Sequence, residues 1–199
     1  TGNTNFVTGK AFYAQYLRDC WFDNLILRGT VATALGIDYL DRVYMSHITC
    51  IDCGRTYHSA ATGTSGIGIG TGGWADENYI ISDCVCVGCG QYGIFIESQN
   101  QMTWGGNYPS PRGAIISNCI VRDGLNKGIG IRGGQHVTVI GCESYGNAAD
   151  GIYLDQLAMT LGMTCYHEGH EEHRGHPAAW NQGYEKLLHT IRTENPGKA

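Results

Sequence analysis

Charge is scarce in this sequence, and its apolar runs are short. Charged residues make up 16% of the 199 residues, with 13 Lys plus Arg against 18 Asp plus Glu. Without a positive excess, the chain has no broad surface for nucleic acid phosphates. No apolar run approaches the roughly 18 to 20 residues that cross a bilayer, and no charged-then-apolar signal sequence follows Thr1. We therefore expect neither nucleic acid nor membrane among its partners.

Glycine is abundant, with 30 residues, and it recurs inside an internal repeat. Three stretches align without a gap, and each begins Asp-Cys, Asn-Cys or Gly-Cys and ends Gly-Ile-x-Ile or Gly-Ile-x-Leu: Asp83–Ile96, Asn118–Ile131 and Gly141–Leu154. A fourth copy runs from His47 to Ile69 around an insertion, and a fainter fifth runs from Asp19 to Tyr39. Such repetition is typical of stacked repeat architectures.

Apolar and polar residues alternate within each repeat, which predicts short strands joined by Gly, Asn and Asp turns. One unit cannot bury its apolar face alone, so the units must stack. The pattern of Cys followed by Gly-Ile-x-Ile resembles the right-handed parallel β-helix of the pectate-lyase-like superfamily, a fold also used by phage tailspikes. We expect an all-β solenoid of about six coils, and a β-sandwich of regularly spaced strands is the alternative.

The two ends of the chain depart from the repeat and set the predicted boundaries. Residues 1–18 are expected to form a partial first coil, and residues 19–165 the β-helix. Residues 166–177 are a His-rich loop. Apolar residues then recur at helical spacing from Trp180 to Ile191, which predicts an amphipathic helix over about 178–194 in a C-terminal segment 178–199. We expect this helix to cap the open last coil.

Residues between and after the inward isoleucines should form outward columns. With Ile37 aligned on Ile67, the first column reads Asp38, Gly68, Phe95, Gly130 and Tyr153, and the second reads Leu40, Gly70, Glu97, Arg132 and Asp155. Glu97 and Asp155 would lie two strand spacings apart, about 9.5 Å, on either side of Arg132. Arg132 is expected to lower the pKa of both carboxyl groups.

Paired carboxylates about 6.5 to 9.5 Å apart are typical of inverting glycosidases, in which one protonates the leaving oxygen and the other activates water. We therefore predict Glu97 and Asp155 as acid and base, with Arg132 orienting a substrate carboxylate. The predicted substrate-binding aromatic residues are Trp74, Phe95, Trp104, Tyr108 and Tyr153. The alternative interpretation is a charge ladder that keeps an exposed sheet face in water, with each Trp folded back over its own coil.

In the resembled superfamily the substrate cleft often runs along such a strand face, which implies a polysaccharide or cell-surface glycan as partner. Its pectate lyases use a carboxylate-bound Ca²⁺ and an Arg base, and its polygalacturonases use clustered Asp residues; neither motif is recognisable here. Only Arg132 could act as a lyase base, with Glu97 and Asp155 as metal ligands, so hydrolysis and elimination both stay open.

A non-catalytic module is the alternative function, such as a tailspike or adhesin fragment that displays glycan-binding loops. A tailspike-like chain is expected to form a homotrimer. Both functions place the protein outside the cell or on a virion.

Cysteine and histidine raise the question of a metal site. Cys50-x2-Cys53 and Cys86-x2-Cys89 have zinc-ligand spacing, but the repeat also stacks Cys50 on Cys86 and Cys53 on Cys89, with Cys84, Cys119 and Cys142 in another column. Packed thiols, disulfides between coils and zinc are therefore alternatives. The His tract from His167 to His176 binds metal weakly in almost any conformation. No firm cofactor follows, and neither Ca²⁺ nor Zn²⁺ has direct support.

Overall fold

The computed structural model describes residues 9–55, 64–73, 77–98, 114–132, 135–155 and 159–167, and every regular element within them is a β-strand. The prediction of an all-β chain is confirmed for these residues. In chain order the strands are β1 (Phe12–Arg28), β2 (Leu35–Ile51), β3 (Ser65–Thr71), β4 (Tyr79–Ser82), β5 (Val85–Val87), β6 (Tyr92–Ser98), β7 (Ala114–Ser117), β8 (Ile120–Arg122), β9 (Lys127–Arg132), β10 (Gln135–Tyr145), β11 (Ile152–Asp155) and β12 (Met159–His167).

The strands pair in parallel along three ladders of one sheet. The first ladder joins the starts of β1 and β2 to β3, β6, β9 and β11. The second joins the middle of β2 to β4, β7, β10 and β12. The third joins the end of β2 to β5, β8 and the end of β10. The chain visits the ladders in this order and then returns to the first, a topology compatible with a parallel β-helix.

The register of the first ladder confirms most of the predicted isoleucine column. In-register neighbours along it are Ile67, Ile94, Ile129 and Ile152. The alignment of Ile37 with Ile67 is wrong, because Leu35 pairs with Ile67 and Ile37 pairs with Ile69. Asp38, rather than Leu40, is therefore the β2 residue that lies beside Gly70.

The inward side chains of the first ladder form a column that is excluded from solvent. Ile67, Ile94 and Ile129 are each fully buried. The Gly that precedes each of these isoleucines lies where the backbone closes on the core: a Cβ added at Gly93 would lie 2.2 Å from Val121 Cγ1. Close packing of the interior therefore requires glycine at this place in the repeat.

The chain bends between the second and third ladders at single residues with left-handed backbone. The stacked residues Asn24, His47, Asp83, Asn118 and Gly141 have φ between 51° and 63°. Gly adopts this region freely, and Asn, Asp and His adopt it more readily than other residues do. The next residue in each copy returns to the core, which explains why the repeats begin Asp-Cys, Asn-Cys and Gly-Cys.

The cysteines stack in the predicted columns. Cys50 pairs with Cys86 across β2 and β5. The thiols of Cys84, Cys119 and Cys142 donate to backbone carbonyls. The neighbouring thiols together with burial raise the pKa of Cys119. The eight cysteines whose side chains are described are all free thiols, so they pack in the core without a disulfide.

Several predicted features at the chain ends receive no structural description. The helix over about 178–194 and the His-rich tract beyond His167 lie outside the described residues. β1 continues without a break through residues 18 and 19, where the sequence placed the start of the β-helix.

The left-handed corners predict a specific effect of substitution at Asn118. A β-branched residue is strained at φ 52°, so Asn118→Val should lower the free energy of unfolding by about 1 to 2 kcal/mol. Asn118→Gly, which adopts this conformation freely, is the matched control and should change it far less. Urea denaturation of both variants measures the difference, and equal stability of the two would contradict the role of the corner.

Tyr79 supplies a second stability prediction. Its side chain is 1% exposed, between Val43 and Ala114 in register, and its hydroxyl has no hydrogen-bond partner within the described residues. Because a buried unpaired hydroxyl costs free energy, Tyr79→Phe should keep or raise stability, by up to about 1 kcal/mol. Tyr79→Ala should instead lower stability by about 3 to 5 kcal/mol through the cavity it leaves. Thermal or urea unfolding of both variants checks this, and a clear loss in Tyr79→Phe would show that the hydroxyl is needed.

Candidate functional site

A row of polar and charged positions follows the outward side of the first ladder. Backbone pairing places its members in register in the order Gln15, Asp38, Gly70, Glu97, Arg132 and Asp155, and we call them the charged row. The predicted trio of Glu97, Arg132 and Asp155 therefore does occupy successive strands. Asp155 is described by its backbone alone.

Glu97 and Arg132 form an ion pair within the charged row. Arg132 Nη1 lies 3.3 Å from Glu97 Oε1, and the two side chains are 33% and 19% exposed, respectively. The pair is thus largely shielded but reachable from solvent. Partial burial strengthens its electrostatic interaction relative to a pair in water.

Glu97 has a raised pKa, although it contacts a cation. Burial is the largest cause, Arg132 opposes it, and the negative charge of Asp38 raises the pKa further. Arg132 does lower the pKa of Glu97, as predicted, but the expectation of a lowered overall pKa is wrong, because desolvation outweighs the attraction of the guanidinium. A carboxyl group with a raised pKa is better suited to donate a proton near neutral pH.

Asp38 is a member of the charged row that the sequence-based alignment did not include. The Tyr13 hydroxyl donates a 2.6 Å hydrogen bond to Asp38 Oδ2, and Gln15 Nε2 donates a longer one of 3.4 Å to the same oxygen. The segment Leu35-Gly-Ile-Asp38 matches Ile94-Phe-Ile-Glu97, and treating Leu as equivalent to Ile would have identified it.

Lys10 and Tyr13 border the Asp38 end of the row. Lys10 Nζ lies 3.8 Å from the centre of the Tyr13 ring. Burial lowers the pKa of Lys10, and the charge of Asp38 partly opposes this effect. Burial and the hydrogen bond to Asp38 raise the pKa of Tyr13, which therefore stays a hydroxyl donor.

The aromatic column beside the charged row is largely covered by the protein. Phe95 is 4% exposed, and its ring stacks on Tyr92 with centroids 4.1 Å apart and an interplanar angle of 5°. Tyr92 crosses over Gly130, where an added Cβ would lie 2.4 Å from its ring. Phe95 therefore presents its ring to Tyr92 rather than to solvent.

Tyr153, the other predicted aromatic residue of this column, is half-buried. Lys127 Nζ lies 3.0 Å from the centre of its ring and 3.7 Å from Asp150 Oδ2. The Lys127 ammonium thus covers part of the ring that was predicted to carry a sugar.

The loop predictions are only partly described. Trp74, Trp104 and Tyr108 lie outside the described residues. The base of the first loop is fixed by Glu77, which is fully buried. Its carboxylate accepts hydrogen bonds from Gly72 N at 2.8 Å and Gly73 N at 3.0 Å, which closes the segment that carries Trp74.

The described residues give no support to a metal centre. Among them, no group of three or more His, Cys, Asp or Glu side chains is arranged to hold a metal ion. This includes the two Cys-x2-Cys pairs that raised the question of zinc.

Comparison with known proteins gives one partial match. A family model described as a domain of unknown function (DUF6259) matches residues 139–199, under a third of the chain. No curated protein and no solved structure matches the chain. In the part of the chain that the structure describes, no helix is long and apolar enough to cross a membrane.

The raised pKa of Glu97 predicts how stability depends on pH. Glu97 binds its proton more tightly in the folded chain than in the unfolded chain. Its stabilising contribution is therefore complete below the unfolded pKa of about 4.3 and is lost as pH rises through the folded pKa. We expect the free energy of unfolding of the wild type to fall relative to that of Glu97→Gln over this rise in pH.

Urea denaturation of both proteins at a series of pH values measures this difference. Glu143→Gln, which removes an exposed carboxyl group from β10, is the matched control. A difference between wild type and Glu97→Gln that stays constant, or that grows in favour of the wild type as pH rises, would contradict the assignment.

Proposed function

We propose that this chain is a right-handed parallel β-helix protein that binds a polysaccharide along its charged row and hydrolyses it. The order in which the chain visits three parallel ladders supports the β-helix. The observation that carries the activity is Glu97, a carboxyl group with a raised pKa that lies 3.3 Å from Arg132 and shares the charged row with Asp38.

Glu97 is the proton donor in this proposal. Cleavage of a glycosidic bond needs an acid that is protonated near neutral pH and delivers its proton to the leaving oxygen. Burial raises the pKa of Glu97 and so favours its protonated form, while Arg132 opposes this rise. Glycoside hydrolysis requires two carboxyl groups with different pKa values, and Glu97 would be the one with the higher pKa.

Arg132 has a second role as the contact for an anionic substrate group. Its side chain is 33% exposed, and a guanidinium can bind a carboxylate through two parallel hydrogen bonds. A uronate-containing polysaccharide is thus the favoured substrate class. The predicted role of Trp74 as a sugar contact is part of the same proposal.

A non-catalytic structural module is the second candidate, and β1 favours it. Within the described residues β1 pairs with β2 only, and it exposes Trp21 and Ile26 at 70% and 69%. An open strand edge with exposed apolar side chains is suited to assembly. This function corresponds to a glycan-displaying part of a tailspike or adhesin. The extracellular or virion-associated location and the homotrimer belong to the same proposal.

The test is a screen of the purified chain against neutral and uronate-containing polysaccharides. New reducing ends without the ultraviolet absorbance of unsaturated products indicate hydrolysis; absorbance would indicate elimination and make Arg132 the base. We expect hydrolysis that declines as pH rises through the raised pKa of Glu97, because only protonated Glu97 can donate.

The matched variants are Glu97→Gln and Glu143→Gln. Glu97→Gln should lose about 10²- to 10⁴-fold in kcat, as expected for a lost general acid, whereas Glu143→Gln should retain activity. Full activity in Glu97→Gln would overturn the assignment. Glycan binding without any product, together with a trimer by light scattering, would favour the structural module.

A further inference from the structure

We propose that Asp38 is the second carboxylate of the site and acts as the general base opposite Glu97. This inference rests on the proposed hydrolysis and assigns the base to Asp38 instead of the predicted Asp155. It follows from the register of β2, β3 and β6, which places Asp38 and Glu97 in one row with a single residue between them.

Spacing makes the pair suitable for direct hydrolysis by water. Asp38 pairs with Gly70, and Gly70 pairs with Glu97. Two strand spacings separate the backbones of Asp38 and Glu97, about 9.5 Å. This lies at the upper end of the range in which one carboxyl group protonates the leaving oxygen and another activates water on the opposite face of the sugar.

The residue that separates each candidate base from Glu97 favours Asp38 over Asp155. Gly70 has no side chain, so no side chain of β3 lies between Asp38 and Glu97 in the row. Between Glu97 and Asp155 the intervening residue is Arg132, which is bonded to Glu97. A guanidinium therefore lies between the predicted pair, whereas the pair on the β2 side is separated by glycine alone.

The carboxylate of Asp38 is also held in place. Tyr13 and Gln15 both donate to Oδ2, from the strand on the side away from Glu97. A base supported by hydrogen bonds from behind keeps a constant orientation towards its substrate. Tyr13 is therefore a positioning residue of this site.

The charge of Asp38 also reaches Glu97. The charge of Asp38 raises the pKa of Glu97, in the direction opposite to the effect of Arg132. Such coupling requires that the carboxyl groups lie close enough to interact, which agrees with their places in the row. An ionised base that raises the pKa of its acid partner helps to keep that partner protonated.

The step balances without any further reactant. Protonated Glu97 gives its proton to the glycosidic oxygen as the bond from that oxygen to the anomeric carbon breaks. Water attacks the anomeric carbon from the opposite face and gives a proton to Asp38. The products are two sugar ends with inverted anomeric configuration, and proton exchange with solvent restores ionised Asp38 and protonated Glu97.

Kinetics of three Asp→Asn variants test the role directly. Asp38→Asn should lower kcat about 10²- to 10⁴-fold, whereas Asp155→Asn should retain far more activity. Asp52→Asn is the matched control, since Asp52 is exposed beyond the end of β2, next to Arg55, and outside the row. NMR of the first product should show inversion.

The outcomes separate this inference from the proposed function. A wild-type chain without hydrolytic activity overturns the proposed function and with it the catalytic role of Asp38. Activity that is lost in Glu97→Gln but retained in Asp38→Asn overturns only the assignment of Asp38, as does loss in Asp155→Asn alone. Retention of anomeric configuration also overturns it.

A titration of Glu97 tests, without any substrate, whether the carboxylates of Asp38 and Glu97 face each other. In chain labelled with ¹³C at the Glu side-chain carboxyl, Asp38→Asn should lower the pKa of Glu97, because a neighbouring negative charge is removed. Arg132→Gln should raise it, which gives a control of opposite sign. An unchanged Glu97 pKa in Asp38→Asn would show that the carboxylates do not face each other and would overturn the inference.

Discussion

In-register parallel stacking is the constraint on which the rest of this structure depends. Inward side chains stack at one strand spacing, so Ile67 lies beside Ile94 in the first ladder and Cys50 beside Cys86 in the third. The same register aligns the outward residues, so a polar side chain on one strand necessarily meets its equivalents on the next. The charged row is thus a consequence of how the core is packed, and it cannot move independently of it.

Sequence repetition was sufficient to predict the strands, the cysteine columns and the order of Glu97, Arg132 and Asp155. It failed at β2, where Leu35 occupies a position that is Ile in the neighbouring strands and the more obvious Ile37 was aligned instead. An alignment error of two residues still places every inward residue on an inward position, because side chains alternate with period two. Hydrophobic pattern alone therefore could not detect the error, and Asp38 was assigned to the wrong column.

The raised pKa of Glu97 could not be predicted from the sequence, for a different reason. Charge order suggests that Arg132 stabilises ionised Glu97, and that attraction is present. Desolvation of the same carboxyl group is larger, and it depends on how neighbouring side chains cover Glu97. The covering of Phe95 by Tyr92, made possible by the absence of a side chain at Gly130, could likewise be seen only in three dimensions.

Glu77 fixes the start of the loop that follows β3. Its buried carboxylate binds the two backbone N–H groups at the start of the loop, so residues 72, 73 and 77 are held together inside the protein. Because a buried carboxylate is costly unless it is hydrogen-bonded, Glu77 and the backbone at Gly72 and Gly73 hold one another in place. A change that displaced either partner would leave a buried polar group short of a hydrogen bond, so the path of the chain between β3 and β4 is tied to the interior by a charge and not only by apolar packing.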